Sequence, residues 1–250
     1  FMSFMKNSLV VLLVLYFTAC ALQTNDKSSE KSEKFAFSFS EKYIGLEKNR
    51  TFQWLGIPYA QAPVGSLRWK APRSLENEND QVKAIEFSNP CPQVESISID
   101  KKGEGEFLGS EDCLFLNIFA PKNIGSDKKL PVMFWIHGGG NTSGEAGSYD
   151  FSKLAAAHDL VIVSINYRLG FLGWFYHPSF AATSNDQGDK SGNFGTLDQI
   201  MALKWVRKNI EDFGGDKNNV TIFGESAGGH NVFALLSSPL AKGLFHKAIS

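Results

Sequence analysis

Apolar and polar positions divide the chain into stretches of two periodicities. Leu114, Leu116 and Ile118 alternate with Phe115, Asn117 and Phe119, the two-residue period of a strand. Pro131 to Ile136 and Leu160 to Val163 are nearly continuous apolar runs, the pattern of strands buried on both faces. Val220 to Phe223 is another such run. Helical spacing lies between them. Asp150 is placed to cap a short helix ending near His158, and His230 to Ser237 reads as a second helix. Thr196 and Gln199 form a capping-box pattern. Behind them Leu203, Val206, Ile210 and Phe213 share one helical face, which Gly214 closes. The residues after His246 read as the start of a further strand. This alternation predicts an α/β fold, a central and mostly parallel sheet flanked by helices. Phe52 to Ala60, with the proline-set turns that follow as far as Trp69, predicts short strands forming a small antiparallel N-terminal sheet.

The first 34 residues have a different character. The sequence begins at Phe1, with Met2 and Met5 as candidate starts. From Met5 a charged segment with Lys6 leads into an apolar stretch, Leu9 to Phe17, too short to span a bilayer. Residues 1–21 are therefore expected to be a signal peptide. Ala19-Cys20-Ala21 fits a cleavage site of small residues, and Phe17-Thr18-Ala19-Cys20 resembles a lipobox with Phe where Leu is usual. In the second case Cys20 is lipidated and anchors the protein to a membrane. Residues 22–34 are polar and read as a linker, leaving 35–250 as the folded domain.

Composition narrows the chemistry. The chain is 43% apolar and 20% charged, with a net charge of −1, so nothing favours nucleic acid as a partner. There is no H-E-x-x-H and no carboxylate-rich calcium loop, and no metal or cofactor is implied. Cys91 and Cys113 flank a polar loop. In an exported protein they are expected to pair, contributing about 3 kcal/mol, against the alternatives of a metal site or two free thiols.

Candidate chemistry centres on Phe223-Gly224-Glu225-Ser226-Ala227-Gly228-Gly229. A strand, a G-x-S-x-G turn and a helix hold a serine hydroxyl clear of the sheet edge. The pattern alone is weak, since a glycine-rich turn before a helix would look the same. A second pattern strengthens it: the run ending at Ile136 leads straight into His137-Gly138-Gly139-Gly140. Attack on an ester carbonyl creates an oxyanion, and backbone N–H groups must reach it without side chains in the way. Those of Ala227, Gly139 and Gly140 are the expected donors. A phosphate-binding loop is disfavoured because no Lys-Ser or Lys-Thr follows the glycines.

These residues also carry a resemblance. Phe213-Gly214-Gly215-Asp216 through Gly228, and Glu111-Asp112-Cys113-Leu114-Phe115-Leu116-Asn117-Ile118-Phe119-Ala120-Pro121, are similar to the two signatures of the type-B carboxylesterases. That family is the cholinesterase-like branch of the α/β-hydrolases. Gly56 to Ala60, Asn166 to Gly170, and Asp198-Gln199 through Trp205-Val206 are similar as well. The resemblance implies an α/β-hydrolase fold, Ser226 as nucleophile, Gly139, Gly140 and Ala227 as oxyanion hole, and a Cys91–Cys113 disulfide. The chain departs from the family at two points. No Trp lies between Cys91 and Cys113 to hold a quaternary ammonium, so a choline ester is not expected. Asn141 follows the glycines where an aromatic is common, so the acyl side of the pocket is expected to differ.

A serine nucleophile needs a base, and the base needs an acid to orient it. Only 24 residues follow Ser226, and neither His230 nor His246 has an acid partner after it in sequence. His137, His158 and His177 read as loop or helix-end residues. The expectation is the N-terminal part of a longer enzyme, cut before the end of its domain and with little activity by itself. The expected reaction is hydrolysis of small-molecule carboxylic esters through an acyl-enzyme. Amide, thioester or carbamate hydrolysis would use the same groups, and a non-catalytic binding or adhesion protein is the rival on the same fold. The expected location is outside the cytosol: periplasmic or outer-membrane-anchored in a bacterium, otherwise secreted.

Overall fold

The computed structural model describes residues 36–38, 42–76, 80–94, 105–122 and 129–250. The expected signal peptide, the linker and Cys20 lie outside these residues. The strands are β1 (Ala36–Ser38), β2 (Tyr43–Lys48), β3 (Thr51–Pro58), β4 (Val82–Lys83), β5 (Gln93–Val94), β6 (Phe107–Leu108), β7 (Phe115–Pro121), β8 (Leu130–Ile136), β9 (Val161–Ile165), β10 (Gly215–Gly224) and β11 (Lys247–Ile249). The α-helices are α1 (Ser152–His158), α2 (Gly170–Gly173), α3 (Pro178–Ala182), α4 (Phe194–Asn209) and α5 (Ala227–Ser237).

One sheet organises them, in the order β1-β2-β3-β7-β9-β8-β10-β11, with β4 beside β2. From β9 to β11 every pairing is parallel, the α/β arrangement that the apolar runs predict. Along this path β1, β2, β3 and β7 run antiparallel to their neighbours, while β4 pairs with β2 in parallel, so the N-terminal antiparallel strands join the main sheet edge to edge. A separate antiparallel pair is formed by β5 and β6.

The two-residue period assigns side chains to two buried faces. Leu116, Ile118, Phe134, Val163 and Ile222 point to a large cluster that includes Leu203 and Val206 of α4 and Val232 and Leu235 of α5. Phe119, Ile162, Met133 and Phe223 point the other way and pack with Ala155 of α1. β7 is thus buried on both faces, and its polar Asn117 needs partners. Its amide donates to Ser164 Oγ at 3.1 Å and accepts from the Gly56 N–H at 2.9 Å. Among the described residues no helix is long and apolar enough to cross a membrane.

Asp150 lies one residue before the N-cap, Phe151, and its Oδ1 accepts from the Ser152 N–H at 2.9 Å. Thr196 does not cap α4. The helix begins at Phe194, so Thr196 lies in its first turn, with its hydroxyl 3.3 Å from Trp174 Nε1. Gln199 is fully buried and leaves its amide without a hydrogen-bond partner among the described residues. The helix instead starts two residues before Thr196, with Asn193 at its N-cap, and Asp198 and Gln199 lie in the buried interior. Ile210 and Phe213 lie in a 3-10 turn beyond α4, still in the core, and Gly214 ends that turn at φ 79°.

Asp198 meets Arg168 in a two-pronged pair, Nε to Oδ2 at 2.8 Å and Nη2 to Oδ1 at 2.7 Å. Their side chains are 0% and 3% exposed. Asp198 Oδ2 also accepts the Arg168 backbone N–H at 3.0 Å. Removing one partner strands a buried charge, whereas replacing both with apolar groups does not. Asp198→Ala is expected to cost about 3–5 kcal/mol, and Arg168→Met with Asp198→Leu to recover most of it. Denaturant unfolding of the single and double variants checks this.

Candidate active site

Val220 to Phe223 sits in register between β8 and β11, with Ile222 opposite Phe134 and Ala248. β10 ends at Gly224, which lies level with Ile136, the last residue of β8. Two successive strand ends therefore release the serine turn and the glycine loop at one height.

The turn is as sharp as the sequence pattern requires. Ser226 has φ 55° and ψ −121°, a left-handed-side backbone conformation that costs a non-glycine residue about 1–3 kcal/mol. Its hydroxyl is exposed and has no hydrogen-bond partner among the described residues. The neighbouring glycines are required by close approach. A Cβ on Gly224 would lie 2.5 Å from the Gly228 carbonyl oxygen, and one on Gly228 would collide with the carbonyl of Ile136. A Cβ on Gly138 would lie 3.2 Å from the Cβ of Ser226 and 2.5 Å from Glu225 Oε2. The glycine loop and the serine are thus backbone-to-side-chain neighbours.

Hydrogen-bond accounting shows which donors face outward. The Gly139 carbonyl accepts from the N–H groups of Thr142 and Ser143, both at 3.0 Å, and lies 3.2 Å from each of their hydroxyls. The Gly138 carbonyl lies 2.9 Å from His137 Nδ1. A trans peptide points its N–H opposite its carbonyl, so tying down these two oxygens turns the N–H groups of Gly139 and Gly140 the other way. Gly139 and Gly140 take φ 94° and 64°, open to glycine at little cost. Neither N–H has a partner among the described residues, and neither does that of Ala227 at the start of α5. The next helical donor, Gly228 N–H, is already satisfied by the Glu225 carbonyl at 2.8 Å.

Behind the loop lies a support that sequence reading did not find. His137 is 1% exposed and stacks on Tyr167, with ring centres 4.4 Å apart. Burial lowers its pKa to about 4, opposed by the hydrogen bond to the Gly138 carbonyl. The imidazole is therefore neutral, and because a carbonyl can only accept, the proton sits on Nδ1. The Tyr167 hydroxyl donates to the His137 carbonyl at 2.6 Å. Burial raises the pKa of Tyr167, keeping it a donor. At the far end of the loop the Gln93 amide pairs twice with Gly144, accepting its N–H at 2.8 Å and donating to its carbonyl at 2.9 Å. Gln93 is two residues past Cys91, which is disulfide-bonded to Cys113 with Cα atoms 5.0 Å apart. Only the position after Cys91 could have pointed to Gln93.

The remaining histidines lie elsewhere. His246 Nδ1 accepts from the Val220 N–H at 3.1 Å, and His177 Nδ1 from the Ser179 N–H at 3.2 Å. His158 and His230 are exposed on α1 and α5. No described histidine ring hydrogen-bonds to the Ser226 hydroxyl; His230 meets Ser226 only through its backbone N–H, which donates to the Ser226 carbonyl at 3.1 Å. The hollow lined by Lys42, Tyr59, Ser74, Met201, Lys204 and Trp205 contains none of Ser226, Gly139 or Gly140.

A parallel sheet whose adjacent strand ends carry a serine turn and a glycine loop defines an α/β-hydrolase. Residues 41–250 match the Carboxylesterase family, and the chain belongs to that family. It is 48% identical over 211 residues to a para-nitrobenzyl esterase of Bacillus subtilis (strain 168), covering 83% of this chain and 41% of that protein. It is 40% identical over 257 residues to a medium-chain fatty acyl-CoA hydrolase precursor of Anas platyrhynchos, covering 98% of this chain and 44% of that one. A solved PNB esterase superposes with a TM-score of 0.71 at 47% identity, over 82% of this chain and 41% of that structure. A Geobacillus stearothermophilus carboxylesterase gives 0.70 at 40% identity over the same shares. The chain spans about two-fifths of the length of these relatives.

The neutral His137 has a consequence for stability. Its pKa is about 4 in the folded chain against 6.5 when unfolded, so between these values the unfolded chain binds a proton that the folded chain does not. The stability it confers is complete above pH 6.5 and is lost as the pH falls towards 4, by up to about 3 kcal/mol. His137→Gln is expected to flatten the fall in denaturation midpoint across this window relative to the parent.

Proposed function

We propose that the protein is a serine hydrolase of small-molecule carboxylic esters that works through an acyl-enzyme on Ser226. The observation that carries this reading is a strained serine beside a glycine loop, with three backbone donors on its turn and that loop left unpartnered among the described residues, those of Gly139, Gly140 and Ala227. Ser226 Oγ attacks the ester carbonyl and loses its proton to a base. The carbonyl oxygen becomes an oxyanion, which the three N–H groups stabilise more strongly than the starting ester. Collapse expels the alcohol, which takes the proton back. Water then repeats the sequence on the acyl-serine and releases the acid. The base and its orienting acid are assigned to no described residue: among these no histidine ring hydrogen-bonds to the Ser226 hydroxyl, and the chain spans about two-fifths of the length of its relatives.

Amide and carbamate substrates would meet the same groups. Thioesters are the second reading, favoured by the relative that is named a fatty acyl-CoA hydrolase. A non-catalytic role is disfavoured by the unpartnered donors, which binding alone would not require. Export fits the Cys91–Cys113 disulfide, a bond that persists in oxidising compartments. The signal at residues 1–21 and lipidation of Cys20 are proposed on the sequence alone.

In the full-length protein, Ser226→Ala is expected to lower kcat for p-nitrophenyl acetate by about 10⁴-fold or more with the fold intact. Gly140→Val, which is strained at the φ of 64° seen there and so displaces that donor, is expected to lower it by about 10²-fold or more. Unchanged turnover in Ser226→Ala would sink the reading.

A further inference from the structure

Asn141 and Asn231 belong to the two halves of the site. Asn141 follows the last glycine of the loop, and Asn231 lies one helical turn after Ala227 in α5. Asn231 Nδ2 donates to Asn141 Oδ1 at 2.8 Å. The same oxygen lies 3.4 Å from the Tyr167 hydroxyl. Asn231 is 4% exposed, so its amide reaches the loop from inside the packed region. The backbone of Asn141 is held too. It takes φ 58°, which Asn tolerates better than most residues, and its carbonyl accepts the Gly170 N–H at 2.7 Å.

We propose that the Asn141–Asn231 hydrogen bond is a positioning device that holds the donors of Gly139 and Gly140 in register with that of Ala227. This rests on the reading of Ser226 and those donors as the catalytic centre. The donors come from two separate elements, and an oxyanion is served only when all of them lie about 2.7–3.1 Å from it. The base of the loop is fixed by backbone contact, Gly228 against Ile136 and Gly138 against Ser226. Its tip is not. Gly139 and Gly140 are exposed and have no side chains, so nothing of their own ties them to α5. Asn141 is the next residue, and its side chain makes that tie. The inward carbonyls of Gly138 and Gly139 set the direction of the donors, and the Asn pair sets their distance from the helix. An aromatic at position 141 would fill the same space with no directional bond to α5.

The test uses the full-length protein with p-nitrophenyl acetate, and Asn141→Ala, Asn231→Leu and the double variant. Each single change is expected to lower kcat about 10- to 100-fold with KM within about twofold, because a displaced donor weakens the transition state more than the ground state. The double variant is expected to lose no more than the worse single, since both remove one bond. Asn231→Ala, which offers neither donor nor acceptor, is expected to match Asn231→Leu and serves if the leucine variant does not fold. Folded single variants with unchanged kcat, or losses that multiply in the double, would overturn the positioning role while Ser226-dependent hydrolysis by the parent left the esterase reading standing. Absence of any Ser226-dependent hydrolysis in the parent would overturn both.

Discussion

The backbone of Gly228 rests against the carbonyl of Ile136, with no room for even one carbon between them. That contact joins the end of β8, the serine turn and the first turn of α5. It is possible because Gly224 and Ile136 lie opposite each other in the parallel sheet. The glycine loop begins at the next residue, so its position relative to Ser226 is set by strand register. A one-residue shift of register would carry the loop away from the serine and exchange the side chains that the shifted strand presents to the two buried faces. The strain at Ser226 is tolerated because the strand on one side and the helix on the other are both packed into the core.

Beneath the glycine loop the interior is polar, and nearly every polar group there is satisfied. Tyr167 donates to His137, His137 to Gly138, and Arg168 grips Asp198 one residue further on. Asn166 accepts the Ala146 N–H at 2.8 Å and donates to the Asn89 carbonyl at 3.1 Å. The loop after β9 is thus a bracket between α4 and the glycine loop. A purely apolar support would pack as well but would not orient carbonyls. Here the hydrogen bonds select which way each peptide of the loop faces, and so which N–H groups point at solvent beside Ser226.

The chain belongs to the carboxylesterase family, and the local geometry is compatible with the reaction proposed for it. In that proposal the described residues supply the half of the site that attacks and stabilises charge. The proton-transfer half is assigned to a base that no described side chain supplies at Ser226. Division along these lines follows from the fold: nucleophile and donors come from neighbouring strand ends, whereas a base comes from a later loop in this class.

The sequence by itself determined the parallel half of the sheet, the serine turn and the glycine loop. These rest on period, β-branching and glycines that no other residue can replace, all of which are local. It also placed Cys91 and Cys113 as partners, through resemblance and the expected compartment. Tertiary structure alone decided the start of α4, where the helix begins at Phe194 and Asp198 and Gln199 are taken into the core despite the Thr196–Gln199 capping pattern. It alone joined Gln93 to Gly144 and Asn231 to Asn141. Such bonds link residues far apart in sequence and have no period or composition to betray them. They exist only once strand register has brought the two backbones within reach of a side-chain amide.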